Sequence, residues 1–275
     1  KAIRRQRQMC IRDSSQTSVS LDSIPEYSGD PYVVVNNNVP FFSKEDLKAE
    51  VFESYGDLDS LGRCTVAYSM VGTETMPTEE RGSIGQVKPT GWHAVKYDNV
   101  DGKYLYNRSH LIGYQLTAEN ANVKNLITGT RYLNVQGMLP FENLTADYIK
   151  ETGNHVLYRV TPVFEGDNLV ASGVLMEGES AEDDGEAIQF CVYVYNVQPG
   201  IIIDYATGDS RLDDGTGGSS QSARKTYVLN TNSKTFHKPD CASVGKIKDS
   251  NKQTFVGTRE EAIKNGYSPC KSCNP

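Results

Sequence analysis

The chain has 275 residues, 37% of them hydrophobic, so it can bury a full core and has room for one large domain and a small additional one. It contains no run near the roughly 18 consecutive apolar residues of a membrane span, so we expect none within it. The formal net charge of −7 would exclude a nucleic-acid partner if the charge were spread evenly over the surface.

The charge is not spread evenly. Residues 81–134 carry a net +4, residues 135–223 carry −12 and residues 224–275 carry +6. Two basic segments therefore flank an acidic one, and a nucleic-acid partner stays possible through the basic segments.

Residues 1–29 are predicted to be a disordered leader. Residues 1–8 are basic and polar, and residues 9–14 resemble the translated end of a sequencing transposon, which indicates an artefact. A genuine basic leader is the alternative. If the segment is an artefact, a signal peptide is missing from this sequence, and Cys10 is not one of the protein's own cysteines.

Six segments rich in β-branched and aromatic residues are predicted to be strands: 32–35, 64–70, 104–106, 156–164, 169–176 and 188–197. Ser43 is a plausible N-cap for a helix over residues 47–55. Residues 76–92 predict a long surface loop, and loops of that length are often functional. Residues 123–150 are interrupted by glycine and proline, which predicts two or three short helices.

Residues 208–224 have the glycine and serine content of a flexible linker. We therefore predict a first domain over residues 30–207 and a second over residues 225–275.

The cysteines differ in their spacing. Cys64 and Cys191 are isolated, and either a disulfide or two buried thiols would suit them. The last 35 residues hold three further cysteines, and a histidine lies four residues before the first of them. Together they can form a tetrahedral Zn²⁺ site with H-x₃-C and C-x₂-C spacing: His237, Cys241, Cys270 and Cys273. A small domain with few large apolar side chains needs such a metal to stay folded.

The first domain contains candidate catalytic residues for phosphodiester hydrolysis, which needs a base, a metal or cations, and stabilisation of the leaving oxygen. His110 follows Arg108 closely, and Asn125, Asn134 and Glu142 lie downstream. Amide and carboxylate oxygens are hard ligands that suit Mg²⁺.

Three motifs occur in order over this region: residues 107–116 (NRSHLIGYQL), 124–126 (KNL) and 131–134 (RYLN). They resemble the DNA/RNA non-specific endonuclease family, close to secreted streptococcal DNases and DNA-entry nucleases. The resemblance covers roughly residues 30–212 and implies an α+β fold of the ββα-metal type with a central antiparallel sheet.

The resemblance also implies residue roles. His110 matches the general base and Asn134 matches the side chain that ligates Mg²⁺. Asn125 matches a second active-site asparagine, Glu142 an acid that hydrogen-bonds the waters of the metal, and Arg108 an arginine that neutralises phosphate.

Two positions depart from the Asp-Arg-Gly-His motif of the family, because Asn107 replaces Asp and Ser109 replaces Gly. Asn107 brings no negative charge but can still orient a neighbour by hydrogen bonding. Ala146 stands where some relatives carry an arginine. Arg81 or Lys88, in the long loop, is our candidate for the missing cation.

The sequence therefore predicts a monomeric, secreted or cell-surface endonuclease that cuts DNA, and RNA as well, to 5′-phosphate ends with Mg²⁺ as cofactor. The alternatives are an inactive nucleic-acid-binding or adhesion protein with the same fold, and a phosphodiesterase for small substrates. A closed pocket in place of an open basic groove would favour the phosphodiesterase for small substrates.

The C-terminal segment resembles the small zinc domain of the DNA alkylation-repair methyltransferase, with His237 in place of the first cysteine. We expect Zn²⁺ to be structural there. Nucleic-acid retention and cell-wall attachment are both open as functions of this domain.

Overall fold

The computed structural model describes residues 24–214, 225–239, 241–257, 262–263, 265–270 and 273. These residues form two compact units. Unit 1 comprises residues 24–199 and 205–209, and unit 2 comprises residues 200–204 together with the described residues from 210 onward. The predicted leader lies largely outside the described residues.

Unit 1 is built on a six-stranded antiparallel sheet. In chain order its strands are β1 (Tyr32–Val34), β2 (Phe52–Tyr55), β3 (Ala67–Val71), β6 (Val156–Val163), β7 (Gly173–Ser180) and β8 (Gln189–Tyr195). They are arranged in the order β1-β8-β7-β6-β3-β2. Long runs of β-branched and aromatic residues in β6 and β8 explain why the centre of the sheet forms there.

A second layer consists of a hairpin followed by a helix. The hairpin pairs β4 (Tyr106–His110) with β5 (Leu126–Thr130), and the short helix α1 (Tyr114–Thr117) lies in its connection. A π-helical turn over Leu133–Met138 then leads directly into α2 (Leu139–Thr152). This ββα arrangement on an antiparallel sheet confirms the predicted α+β class.

The main core lies between the ββα layer and one face of the sheet. Leu111, Ile112 and Ile149 from the ββα layer pack with Tyr158 and Val192 from the sheet, all of them buried. Gly137 allows the π-helical turn to approach the sheet closely, since a Cβ at this position would overlap the side chain of Val194. The core therefore fixes the hairpin and α2 relative to each other.

Two predicted elements were wrong. Residues 47–55 do not form a helix. The Ser43 Oγ does accept from the Asp46 amide at 3.3 Å, but Glu45 is the residue that precedes the turn, and only the 3-10 turn Asp46–Lys48 follows before β2 pairs with β3. Within the segment predicted as short helices, residues 126–130 form the strand β5, because their β-branched side chains favour a strand that pairs with β4. Residues 133–152 form one continuous helical stretch and not several short helices.

Unit 2 contains two small sheets. One is a hairpin of β9 (Ile201–Ile203) and β10 (Ser210–Leu212), so the first part of the predicted linker is a strand. The other has the order β13-β11-β12-β14, with β11 (Lys225–Asn230), β12 (Thr235–His237), β13 (Lys252–Gly257) and β14 (Ser268–Pro269). Buried Tyr227, Leu229 and Phe236 form its small core.

Cys64 and Cys191 are both buried free thiols. The structure therefore has the second of the two arrangements that suited them, with no disulfide between them. Burial raises the pKa of Cys64 to about 11, which keeps this thiol protonated and unreactive. No helix in the described part of the chain combines the length and the apolar character needed to cross a bilayer.

Candidate active site and metal centre

His110 is the last residue of β4, and its backbone is held on both sides. It pairs with Leu126 across the hairpin, and the amide of the next residue, Leu111, donates to the Asn125 carbonyl at 2.8 Å. The buried side chain of Asn125 accepts from the Ile112 amide and donates to the Ile112 carbonyl, both at 2.9 Å. Asn125 therefore fixes the chain just after His110 through the backbone and does not face the surface.

Both ring nitrogens of His110 have a partner. Nε2 lies 2.8 Å from the backbone carbonyl of Asn120, which can only accept, so Nε2 carries the proton. Nδ1 lies 3.3 Å from Nη2 of Arg81 and accepts from it. Burial lowers the pKa of His110, and the nearby Arg81 charge lowers it further. The imidazole is thus a neutral base whose lone pair sits on Nδ1.

Of the two predicted arginines, Arg81 and not Arg108 reaches this base. The Arg108 guanidinium turns toward the long loop, where Nη2 donates to the Gly85 carbonyl at 2.9 Å and Nε donates to the Val87 carbonyl. Its Cζ lies 4.0 Å from the centre of the Trp92 ring, over the face of the ring. Arg108 contacts the loop, and Arg81 together with the exposed Lys88 presents positive charge to solvent.

Glu142, in the first turn of α2, lies against the chain just beyond His110. A Cβ on Gly113 would come within 2.5 Å of its Oε2, so the carboxylate occupies space that only glycine leaves free. Burial raises the pKa of Glu142 to about 7, opposed by a hydrogen bond from Gln115 and by the Arg81 charge. In the described part of the chain no cation is close enough to Glu142 to form an ion pair.

These residues suit a Mg²⁺ ion. A half-buried carboxylate with a raised pKa and no adjacent cation gains stability from a bound positive charge. Asn134, in the π-helical turn before α2, has a half-buried side-chain amide that makes no hydrogen bond to any described residue. An amide oxygen completed by waters, and a carboxylate that binds such waters, are ligands that Mg²⁺ accepts.

The two residues that depart from the family motif, Asn107 and Ser109, differ in how the surrounding structure accommodates them. The Nδ2 of Asn107 is buried without a hydrogen-bond partner among the described residues, so it orients no neighbour through that atom. Ser109 is fully buried beside Gly129, where a Cβ would overlap the Ser109 hydroxyl. A serine fits at position 109 because residue 129 is glycine.

Sequence reasoning missed Asn120, Gly113 and Trp92. Asn120 acts on His110 through a backbone carbonyl, which no residue type reveals. Gly113 acts through the side chain it lacks. Trp92 carried a usable signal as the only tryptophan of the chain, in a polar loop.

In unit 2, the four predicted zinc ligands come together. The ligand atoms of His237, Cys241, Cys270 and Cys273 all lie within 4.8 Å of one another. The Nδ1 of His237 is buried without a hydrogen-bond partner among the described residues, and burial lowers the pKa of this histidine. A neutral imidazole nitrogen lacking a partner beside three cysteine sulfurs fits a tetrahedral Zn²⁺ site.

Three solved structures are similar to this chain. NucA from Streptococcus agalactiae with no metal bound is 25% identical, with a TM-score of 0.60 over 70% of this chain and 92% of that one. The same protein with a magnesium ion bound is 24% identical, with a TM-score of 0.62 over 70% and 93%. Sda1 nuclease with a bound zinc ion is 29% identical, with a TM-score of 0.50 over 57% and 78%.

Two family models match the chain. The metal binding domain of Ada matches residues 219–275, the segment with the Cys/His cluster. The model of the DNA/RNA non-specific endonuclease matches residues 44–182, just over half of the chain, a range that includes β2 to β7, α2 and the surroundings of His110. The chain belongs to the DNA/RNA non-specific endonuclease family.

Proposed function

We propose that the chain is a Mg²⁺-dependent endonuclease that hydrolyses DNA and RNA without sequence specificity and leaves 5′-phosphate ends. The observation that carries this proposal is the state of His110: it is 6% exposed, its Nε2–H is bound to the Asn120 carbonyl and its Nδ1 lone pair faces Arg81. An extracellular location belongs to the same proposal and rests on the resemblance to secreted nucleases.

In this mechanism His110 takes a proton at Nδ1 from the water that attacks phosphorus. The Asn120 carbonyl, bound to Nε2–H, stabilises the imidazolium that forms. Arg81 turns from Nδ1 to the phosphate and neutralises part of its charge. The bond from phosphorus to the 3′-oxygen breaks and the leaving oxygen takes a proton from a solvent water, so one fragment ends in a 3′-hydroxyl and the other keeps the phosphate on its 5′ end.

Asn134 would hold the Mg²⁺ directly, with Glu142 binding its waters. The bound ion supplies charge neutralisation at the phosphate and at the leaving oxygen. Because these groups contact phosphate and not base edges, little sequence preference is expected.

The proposal is tested with supercoiled plasmid DNA and a structured RNA, each incubated with Mg²⁺ or with EDTA. Wild-type protein should nick both substrates only with Mg²⁺, and the new ends should accept label from a kinase only after phosphatase treatment. Asn134→Ala should lose this activity, while Asn134→Asp, which keeps an oxygen ligand, should retain part of it. Tight DNA binding without cleavage under all these conditions would favour the inactive binding protein instead.

A further inference from the structure

The loop that carries Arg81, residues 79–92 and here named the Arg81 loop, has little structure of its own. Its internal backbone hydrogen bonds among the described residues are two turn contacts, Val87 N to Ile84 O and Trp92 N to Pro89 O. An exposed loop of this kind would sample many conformations unless other parts of the protein held it.

Four side chains of the ββα layer hold the loop, and each donates to a loop carbonyl. Tyr114 donates to Glu79 at 2.9 Å, Asn120 to Ser83 at 3.4 Å, and Thr128 to Thr90 at 2.8 Å. Arg108 donates to both Gly85 and Val87. Five loop carbonyls, spread from residue 79 to residue 90, are thus bound by the layer that carries His110.

Of the four side chains, Arg108 makes the most contacts with the loop. It bridges two loop carbonyls with separate donors, and its Cζ lies over the Trp92 ring, so the guanidinium is held by hydrogen bonds and by a cation–π contact. It lies on β4, two residues before His110. The strand that presents the base therefore also sets the position of the loop that presents Arg81.

We propose that Arg108 is a positioning residue that clamps the Arg81 loop and acts on catalysis through Arg81, not by binding phosphate. The inference rests on the proposed nuclease function. It reassigns the role that family resemblance gives to this arginine. The fixed loop keeps the Arg81 guanidinium at 3.3 Å from Nδ1 of His110, ready for the phosphate, and removes the cost of ordering it when substrate binds.

A double-mutant cycle tests the proposal with kcat/KM for plasmid cleavage. Arg81→Ala should lose on the order of 100-fold, as expected for removing one preorganised cation. Arg108→Ala should lose a large part of the same factor. If Arg108 acts through Arg81, the double variant should lie within about threefold of Arg81→Ala alone. Losses that multiply would mean that Arg108 makes its own contact with substrate, and would overturn the proposal.

Arg108→Lys separates charge from geometry. Lysine keeps the positive charge but has neither the planar fork nor the stacking face, so it should behave like Arg108→Ala in KM and kcat. Recovery of most of the activity by lysine would indicate a phosphate contact and would contradict the clamp. If Arg108→Ala does not fold, the cycle is run with Arg108→Lys, which keeps the aliphatic stem. Lys150→Ala, at an exposed position late in α2, controls for the loss of one surface cation.

Trp92 provides a readout that needs no activity. As the only tryptophan, it reports the clamp directly by fluorescence in protein without Mg²⁺ or DNA. Arg108→Lys should shift its emission and raise protease cleavage within residues 79–92, whereas Arg81→Ala should leave both unchanged. If the emission and the protease pattern of Arg108→Lys match wild type, the clamp is wrong. If they change but wild type cuts no nucleic acid, the proposed function fails and the clamp stands.

Discussion

At the scale of single residues, the environment of His110 determines when it can act as a base. Its Nε2–H is bound to a carbonyl, its Nδ1 faces a cation, and its ring is almost fully buried. Burial and the Arg81 charge both disfavour the imidazolium, so the pKa lies below the ordinary value of 6.5.

The first prediction concerns pH. At saturating Mg²⁺, where the bound positive charge favours the ionised form of Glu142, the acid side of kcat/KM should report His110, which must be neutral to accept a proton, and its midpoint should lie below 6.5. Arg81→Gln removes one of the two causes, so it should move this midpoint upward at a lower overall rate. Lys150→Ala should leave the midpoint unchanged. A wild-type midpoint at or above 6.5 would contradict the proposed environment of His110.

The second prediction concerns Gly113. Its backbone angles, φ −59° and ψ 145°, suit any residue, and the three atoms nearest to an added Cβ all belong to the Glu142 carboxylate, with Oε2 at 2.5 Å, so alanine requires this carboxylate to move. Gly113→Ala should displace Glu142, lower the melting temperature and reduce cleavage about 100-fold, as for an ångström-scale misplacement.

The double variant Gly113→Ala/Glu142→Ala is the control for this explanation. It should recover most of the lost stability, because the overlapping carboxylate is gone, without recovering activity. Gly245→Ala, at a position where nothing lies within 4 Å of the added Cβ, should change neither quantity. If the double variant melts no higher than Gly113→Ala, the clash is not with Glu142.

Sequence could single out His110 and Asn134 as candidates because their residue types and spacing match a family motif, and their roles stay predictions. The sequence could not predict what Arg108 contacts, since the hydrogen-bond partners of Arg108 are backbone carbonyls some 20 positions away in the chain. Asn120 and Gly113 were missed for a related reason. A backbone carbonyl and a missing side chain leave no chemical signature in a sequence.

At the scale of elements, a helix or strand predicted from neighbouring residues forms only where its contacts with distant parts of the chain favour the same structure. The Ser43 hydrogen bond forms, yet the helix it predicts is limited to one turn because the following residues complete the edge of the sheet. Gly129 suggested a helix interruption, but it is the residue in β5 that makes room for Ser109. Both errors come from packing partners that lie far away in sequence.

The third prediction concerns the zinc centre of unit 2. Purified protein should contain one Zn²⁺ per chain, and Cys270→Ser should lose it and unfold the sheet of β11 to β14, since the metal stabilises a very small core. Cleavage of short DNA should persist. Cys64→Ala, which removes a free thiol of unit 1, is the control for zinc content. Zinc-free wild-type protein, measured by elemental analysis, would rule out the assignment.

The histidine ligand was predictable because H-x₃-C and C-x₂-C spacing is a metal signature that needs no knowledge of the fold. What the sequence could not provide is the arrangement of strands that brings the two pairs together. His237 ends β12, and Cys270 follows β14, the neighbouring parallel strand, with its amide donating to the Phe236 carbonyl at 3.0 Å.

At the scale of the whole molecule, the charge distribution matters more than its sum. A chain of net charge −7 can bind DNA only through its basic segments, residues 81–134 and 224–275. Arg81 and Lys88 belong to the first of these, and both are exposed.

The fourth prediction follows from these two segments. Cleavage should fall with added monovalent salt, because cations compete for phosphate. Truncation after Asp214 removes the second segment and should weaken activity on long DNA more than on short oligonucleotides, since only long substrates can engage both segments at once. The measurement is cleavage of both lengths by both proteins across a salt series. An equal loss on both lengths would show that the C-terminal module supports the nuclease fold and does not bind DNA.

The central claim is that His110 is the base of a metal-dependent nuclease. It is tested most directly by the initial rate of plasmid cleavage with Mg²⁺ for wild type, His110→Ala and His93→Ala, with matched circular dichroism spectra. His93 is an exposed histidine that contacts the Thr207 carbonyl, and its loss should leave the rate unchanged. The account predicts a loss of ~100-fold or more for His110→Ala. Retention of more than about a tenth of the wild-type rate would contradict it.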